Sequence, residues 1–145
     1  MIGAMTTYYD LIRDPLVHEH ALLLVEATRT VADPQIRHRG TLGGALAHAD
    51  PAGDLCAPPA LALDATLTAV GTAGRRRIPV ADFFEGYYTT TLRPDEILVD
   101  VRVPKHTGWE ARYEKFNTVA EAWSIVAVAA TIQVDGGTIR QAGWR

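Results

Sequence analysis

The chain has 145 residues, 48% of them hydrophobic and 21% charged, with a formal net charge of −3. That balance fits a soluble globular chain of one domain, or one domain and part of another. It excludes the basic face of a nucleic-acid binder, and no apolar run approaches the ~20 residues that span a bilayer. Met1 is not followed by a charged region and a signal-peptide core, so a cytoplasmic protein is expected. The lone Cys56 can neither close an internal disulfide nor hold an iron–sulfur cluster or a structural zinc by itself. Redox chemistry here would need an organic cofactor.

In chain order, Ile2-Gly3-Ala4-Met5-Thr6 reads as a strand end that starts abruptly. Asp14-Pro15 is a helix entry, with Asp as N-cap and Pro at the first helical position. Val17, Ala21, Leu24, Val25 and Thr28 recur at helical spacing until Asp33-Pro34 ends the helix. His18 and His20 on that helix point about 200° apart, cannot chelate one metal together, and are expected at the surface. Further on, residues 58–63 read as a short helix, 66–70 as a strand, 71–74 as a turn and 76–80 as a returning strand. A helical turn follows at 80–84, with Phe83 and Phe84 closing the core. Ile97, Val99, Val101 and Val103 alternate with Asp100 and Arg102, the pattern of a half-buried strand that Pro104 stops.

A polar link at residues 105–110 divides the chain into units of 1–105 and 106–145. Beyond it, 113–116 and 125–134 read as strands, and Asp135-Gly136-Gly137 is a hairpin turn into 138–142. Such a hairpin with one extra strand is too small to fold alone, so the chain is expected to end inside its second domain. The basic runs are Arg37-His38-Arg39 and Arg75-Arg76-Arg77, the latter expected as a solvated turn.

The stretch that organises the rest is 37–54. Gly43 and Gly44 remove two adjacent Cβ atoms, which would let the backbone turn at positive φ and a ligand lie against exposed peptide N–H groups. Thr41 adds a hydroxyl, and Asp50-Pro51 and Gly53-Asp54 bend the chain so that carboxylates return to the rim. A glycine pair alone is more often the mark of an ordinary turn. His48, Asp50 and Asp54 lack the spacing of a metal site, so no metal is expected.

Ile36-Arg37-His38-Arg39-Gly40-Thr41-Leu42-Gly43-Gly44, then Leu46-Ala47-His48-Ala49-Asp50-Pro51 and Asp54-Leu55, resemble the second FAD-binding motif in the flavoprotein subunit of molybdenum hydroxylases. The likeness is greatest to the medium subunit of aerobic carbon monoxide dehydrogenase and its xanthine dehydrogenase relatives. It continues in order through Arg77-Ile78-Pro79, Phe83-Phe84, Leu92-Arg93-Pro94-Asp95-Glu96-Ile97-Leu98 and Tyr113-Glu114-Lys115-Phe116. The resemblance implies an α/β (α+β) fold: the second subdomain of a PCMH or vanillyl-alcohol-oxidase-type FAD-binding domain, followed by the first strands of the carbon monoxide dehydrogenase flavoprotein C-terminal domain. Ala45 departs from the polar residue usual after the double glycine, residues 117–122 lack the basic residues and aspartate of many relatives, and the family's first FAD subdomain, with its own glycine motif, is not present. The chain therefore resembles the middle of such a subunit.

Carried over, the family implies Thr41, Leu42, Gly43 and Gly44 around the FAD phosphates and ribityl chain, and Asp54 as an acceptor for a cofactor hydroxyl. It implies Leu98 near the flavin ring, Lys115 as a cation beside it, and Trp123 stacked on it. Without the resemblance, Asp54 reads as a helix cap, Leu98 as core, Lys115 as a solvent-facing strand residue and Trp123 as packing between strands. The implied role is electron transfer through FAD, with no catalytic acid, base or nucleophile in this chain. The molybdenum cofactor and [2Fe-2S] clusters would sit on a molybdopterin large subunit and an iron–sulfur small subunit, in a dimer of heterotrimers. A non-catalytic remnant or assembly module that binds no FAD alone stays open, and a vanillyl-alcohol-type flavin oxidase fits the order of motifs less well.

Overall fold

A computed structural model of the chain describes residues 1–55 and 58–145. Cys56, on which the disulfide and cluster argument rests, lies outside them. In chain order the structure runs β1 (Ile2–Gly3), α1 (Tyr8–Arg13), α2 (Pro15–His20), α3 (Leu22–Arg29), α4 (Pro34–Arg37), α5 (Leu42–His48), α6 (Pro58–Ala62), β2 (Thr66–Gly71) and β3 (Gly74–Pro79). A single 3-10 turn at Val80–Asp82 leads into β4 (Phe84–Gly86), β5 (Thr89–Thr90), β6 (Ile97–Arg102), β7 (Glu110–Phe116), β8 (Val126–Asp135) and β9 (Thr138–Trp144). The strands form a four-stranded antiparallel sheet in the order β1-β6-β2-β3, a small β4-β5 pair, and a three-stranded antiparallel sheet β7-β8-β9. This mixed α/β architecture agrees with the expected fold class.

The single helix expected between Asp14 and Asp33 is interrupted. Asp14 caps α2 through its Oδ1, which accepts from the amides of Leu16 at 2.8 Å and Val17 at 3.1 Å. At Ala21 the backbone leaves helical geometry, with φ −150° and ψ 47°, and α3 begins anew. Val17, Ala21, Leu24, Val25 and Thr28 are nevertheless all buried, because apolar spacing reports which side chains face the core and not whether the axis between them is continuous. The two histidines are half-buried rather than superficial. His18 donates from Nε2 to the Ile12 carbonyl at 2.6 Å, tying α2 back to α1, and His20 Nδ1 lies 2.7 Å from Thr107 Oγ1. Helix α1 escaped the sequence reading; Thr7 caps it, accepting from the Asp10 amide.

In β6 the expected alternation also fails at one end. Its register against β2 pairs Leu67 with Val101, Thr68 with Asp100 and Ala69 with Leu98, so Val99 of β6 is the extra, bulged residue. A bulge changes which face the next side chain takes. Val101 is accordingly buried and Leu98 packs against the core, while Ile97 is 67% exposed.

One core joins the two sheets and the helices. Leu11, Leu23, Leu24, Leu42, Leu46, Leu55, Leu63, Leu67 and Phe83 are fully buried in it, and Tyr113 and Ala129 of the three-stranded sheet belong to the same cluster. That sheet lies over α3 and α6. Its alternating residues Tyr113, Ala129 and Thr131 face inward, whereas Phe116, Val126, Val128 and Trp144 remain exposed. Among the described residues no helix is long and apolar enough to cross a membrane.

Candidate functional site

The glycine pair does not form the turn expected of it. Thr41 is the N-cap of α5, in extended geometry, and its Oγ1 accepts from the Gly44 amide at 3.1 Å. Gly43 and Gly44 are helical, and neither has a positive φ. The amides of Leu42 and Gly43 donate to the carbonyls of Thr6 at 3.1 Å and Ala4 at 2.8 Å. All three amides that a phosphate was expected to meet are therefore bonded within the chain.

Packing, not ligand approach, explains the first glycine. A Cβ at Gly43 would stand 2.5 Å from the Ala4 Cβ and 2.8 Å from its carbonyl oxygen, so α5 can lie against the turn after β1 only without one. Gly44 differs: it is exposed, and a Cβ there would meet only Thr41 Oγ1, at 2.8 Å.

Beyond α5 the chain turns through Ala49, held in the left-handed region at φ 52°. Asp50 steadies this turn by accepting from the Ala52 amide at 2.9 Å, an Asx-type bond that suits aspartate before proline. The turn delivers Asp54 inward. Its Oδ1 accepts from the Tyr113 hydroxyl at 2.8 Å, and its Oδ2 from Lys115 Nζ at 2.8 Å. Lys115 also donates to the Thr30 carbonyl at 3.2 Å. The side chains of Lys115 and Asp54 are 7% and 4% exposed, so this is a buried ion pair with its hydrogen bonds supplied. Asp54 thus bonds side chains of β7, and Lys115 does not face solvent.

The pair forms the floor of a cleft of about 240 Å³ whose walls are mostly apolar. Tyr8, Val31, Ile36, Ala45, His48 and Trp123 contribute to those walls. Ala45 keeps its part of the wall apolar. Trp123, 65% exposed, stands at the mouth on the loop between β7 and β8. That loop is fastened to the Asp50–Asp54 turn by Ser124, whose Oγ donates to the Ala52 carbonyl at 3.0 Å.

Of the residues that the sequence marked, the structure brings Asp54, Lys115 and Trp123 into this cleft. Thr41, Leu42, Gly43, Gly44 and Leu98 are not among its lining residues. Tyr113 was missed as a site residue although its strand was expected: nothing local signals a hydroxyl that bonds a carboxylate 59 positions away. Ile36 and His48 lay within the motif that carries the family resemblance, but neither was marked as a cofactor contact. Among the described residues no group of His, Cys, Asp and Glu is arranged to hold a metal ion.

Known proteins resemble this chain in sequence and in fold. A family model, the FAD binding domain in molybdopterin dehydrogenase, matches residues 1–106. The carbon monoxide dehydrogenase medium chain of Hydrogenophaga pseudoflava is 41% identical over 144 residues, covering 96% of this chain and 48% of that protein. A xanthine dehydrogenase FAD-binding subunit of Escherichia coli O157:H7 is 32% identical over 144 residues, covering 97% and 49%. Among solved structures, a carbon monoxide dehydrogenase from Hydrogenophaga pseudoflava that lacks the Mo-pyranopterin moiety of its molybdenum cofactor superposes with a TM-score of 0.91 at 39% identity, covering 96% of this chain and 48% of that one. The chain thus spans about half the length of the relatives it matches. By its sequence over residues 1–106 and by its fold, it belongs to the family of FAD-binding domains found in molybdopterin dehydrogenases.

Proposed function

We propose that this chain is part of the FAD-binding, electron-transferring subunit of a molybdenum hydroxylase of the carbon monoxide dehydrogenase type, and that the cleft over Asp54 and Lys115 receives the ring and ribityl end of FAD. The observation that carries the reading is the cleft itself. It joins mostly apolar walls to an indole at the mouth and a fully bonded ion pair at the floor, a combination suited to a large flat heterocycle. FAD, when bound, supplies the carriage of electrons. This chain's residues bind and orient: Trp123 offers a ring face, Ala45 and Ile36 exclude water, and Asp54 retains lone pairs for a cofactor hydroxyl. Lys115 is already neutralised by Asp54, so its field on the ring is that of a pair and not of a lone cation.

The fit at the diphosphate is poorer. Lys115 is the one Lys or Arg among the described lining residues, and the amides of residues 42–44 have partners. This favours a second reading for the isolated chain, an assembly module that keeps the fold and binds no FAD alone. In the intact complex the partners would be an iron–sulfur small subunit and a molybdopterin large subunit, in the cytoplasm. The two stretches 1–105 and 106–145 would serve as the FAD subdomain and the start of the next domain.

Titrating the purified chain with FAD, by flavin fluorescence, separates the readings. Saturable binding that Trp123→Ala weakens by about tenfold, with far-UV circular dichroism unchanged, supports the cleft as the site. Equal binding by both proteins overturns that site. A folded chain that binds no FAD favours the assembly module.

A further inference from the structure

Residues 31–40 separate two clefts that differ in the charges lining them. Val31, Ile36 and Gly40 face the apolar one already described; Pro34, Arg37 and His38 face a second, of about 290 Å³, on which Tyr9, Ile12, Arg13 and Arg29 also converge. Three arginines thus line one concavity, and none of its described lining residues is a carboxylate. For a chain with a formal net charge of −3 this is a local excess of the opposite sign.

Two of the three guanidinium groups, those of Arg13 and Arg37, have no carboxylate partner among the described residues. Arg37 donates from Nη1 to the carbonyls of Val31 at 2.8 Å and Ala32 at 2.9 Å, which fix its position without neutralising it. Arg13 lies over the Tyr9 ring, 5.1 Å from its centroid, and has no carboxylate partner among the described residues. Arg29 alone is paired, with Glu26 at 3.3 Å, one turn back along α3 and outside the cleft lining. Tyr9 makes two ring contacts: Arg13 lies over it, and His38 stacks on it with ring centroids 4.0 Å apart. The ring thereby helps to set Arg13 and His38 in place.

We infer that this cleft binds a small multivalent oxyanion, specifically a phosphoryl or diphosphoryl group, gripped by Arg13, Arg29 and Arg37. Planar guanidinium forks match the spacing of phosphate oxygens and give charge-assisted, often bidentate bonds. A cleft lined by one sign of charge raises the local concentration of the opposite ion. Free diphosphate and a nucleoside diphosphate share this chemistry, and no contact to a base is part of the grip.

The test is calorimetric titration of the full chain with inorganic pyrophosphate and with ADP, at fixed low ionic strength and without flavin. Pyrophosphate should bind saturably, and ADP within about threefold of it. Arg13→Gln with Arg29→Gln should weaken both by about tenfold or more, the loss expected when two of three charge-assisted contacts go. Both residues are exposed, so this double variant should fold, which circular dichroism checks. Arg140→Gln, remote in sequence and paired with Asp135, should change binding less than about twofold. No saturable binding by the parent chain, equal binding by the double variant, or an equal loss with Arg140→Gln overturns the site. ADP binding more than about tenfold tighter than pyrophosphate would overturn the phosphoryl group as the recognised part.

Discussion

The start of α5 and the floor beneath it are both places where the sequence offers groups to a ligand and the fold answers them from within. They differ in what does the answering. At α5 the partners are local in kind, backbone carbonyls of residues 4 and 6 and the cap hydroxyl of Thr41. At the floor they are side chains from a distant strand, and the groups are charged and nearly dry. Backbone closure shapes the site without exposing it, whereas paired charge can line a cleft and still be stable.

The largest effect should come from breaking the charged half. Lys115→Met leaves Asp54 buried without its cation and should cost about 3–5 kcal/mol in urea unfolding, the range for an orphaned partner of a buried ion pair. A loss under about 1 kcal/mol would mean that water reaches the floor freely. Next comes the backbone half. Gly43→Ala drives a methyl into Ala4 and should cost about 1–3 kcal/mol, whereas Gly44→Ala should stay within about 1 kcal/mol, since only a cap hydroxyl must shift. Equal losses at the two glycines would remove the packing explanation. A gentler cut at the floor is Tyr113→Phe, which deletes the hydroxyl donated to Asp54 and keeps the ring, with an expected cost of about 1–2 kcal/mol.

The smallest effect tests a charged pair that is nowhere near the cleft. Arg76 bonds both carboxylate oxygens of Glu96, at 2.7 Å each, and the Arg93 amide adds a third bond. With the Arg76 hydrogen bonds as the main cause and the Arg93 amide second, the Glu96 carboxyl is held down from 4.5 to about 2. A lowered carboxyl stabilises the fold above its unfolded value and loses that contribution as pH falls from about 4.5 through 2. Glu96→Gln should flatten this part of an acid-unfolding profile while leaving the Asp54 floor intact.

How much of this the sequence could tell follows from which interactions are local. The hairpin of β2 and β3 was legible because Gly71 and Gly74 bracket a two-residue turn, with Gly74 at φ 107°. The turn between β8 and β9 was legible from Asp135-Gly136-Gly137 for the same reason, both glycines having positive φ. The order of motifs also gave the family. Gly43 and Gly44 misled because absence of a side chain says that something comes close, and not whether it is a ligand or Ala4. The break at Ala21 and the bulge at Val99 were hidden because the apolar residues around them still reach the core. For the site, Asp54 and Lys115 could be marked singly, but their union depends on β7 lying over α3, which no local pattern records.

That union also bears on how β7 finds its neighbour. Tyr113 and Lys115 stand two positions apart, so both point inward, while Arg112 and Glu114 pair with each other on the outer face. A slip of β7 by one residue against β8 would exchange the two sets. Tyr113 and Lys115 would then leave Asp54 stranded in the core, beside a second carboxylate from Glu114. Misregistered pairings of this sheet are thereby penalised by charge as well as by lost burial, and Asp54 serves as the gauge against which the strand is aligned.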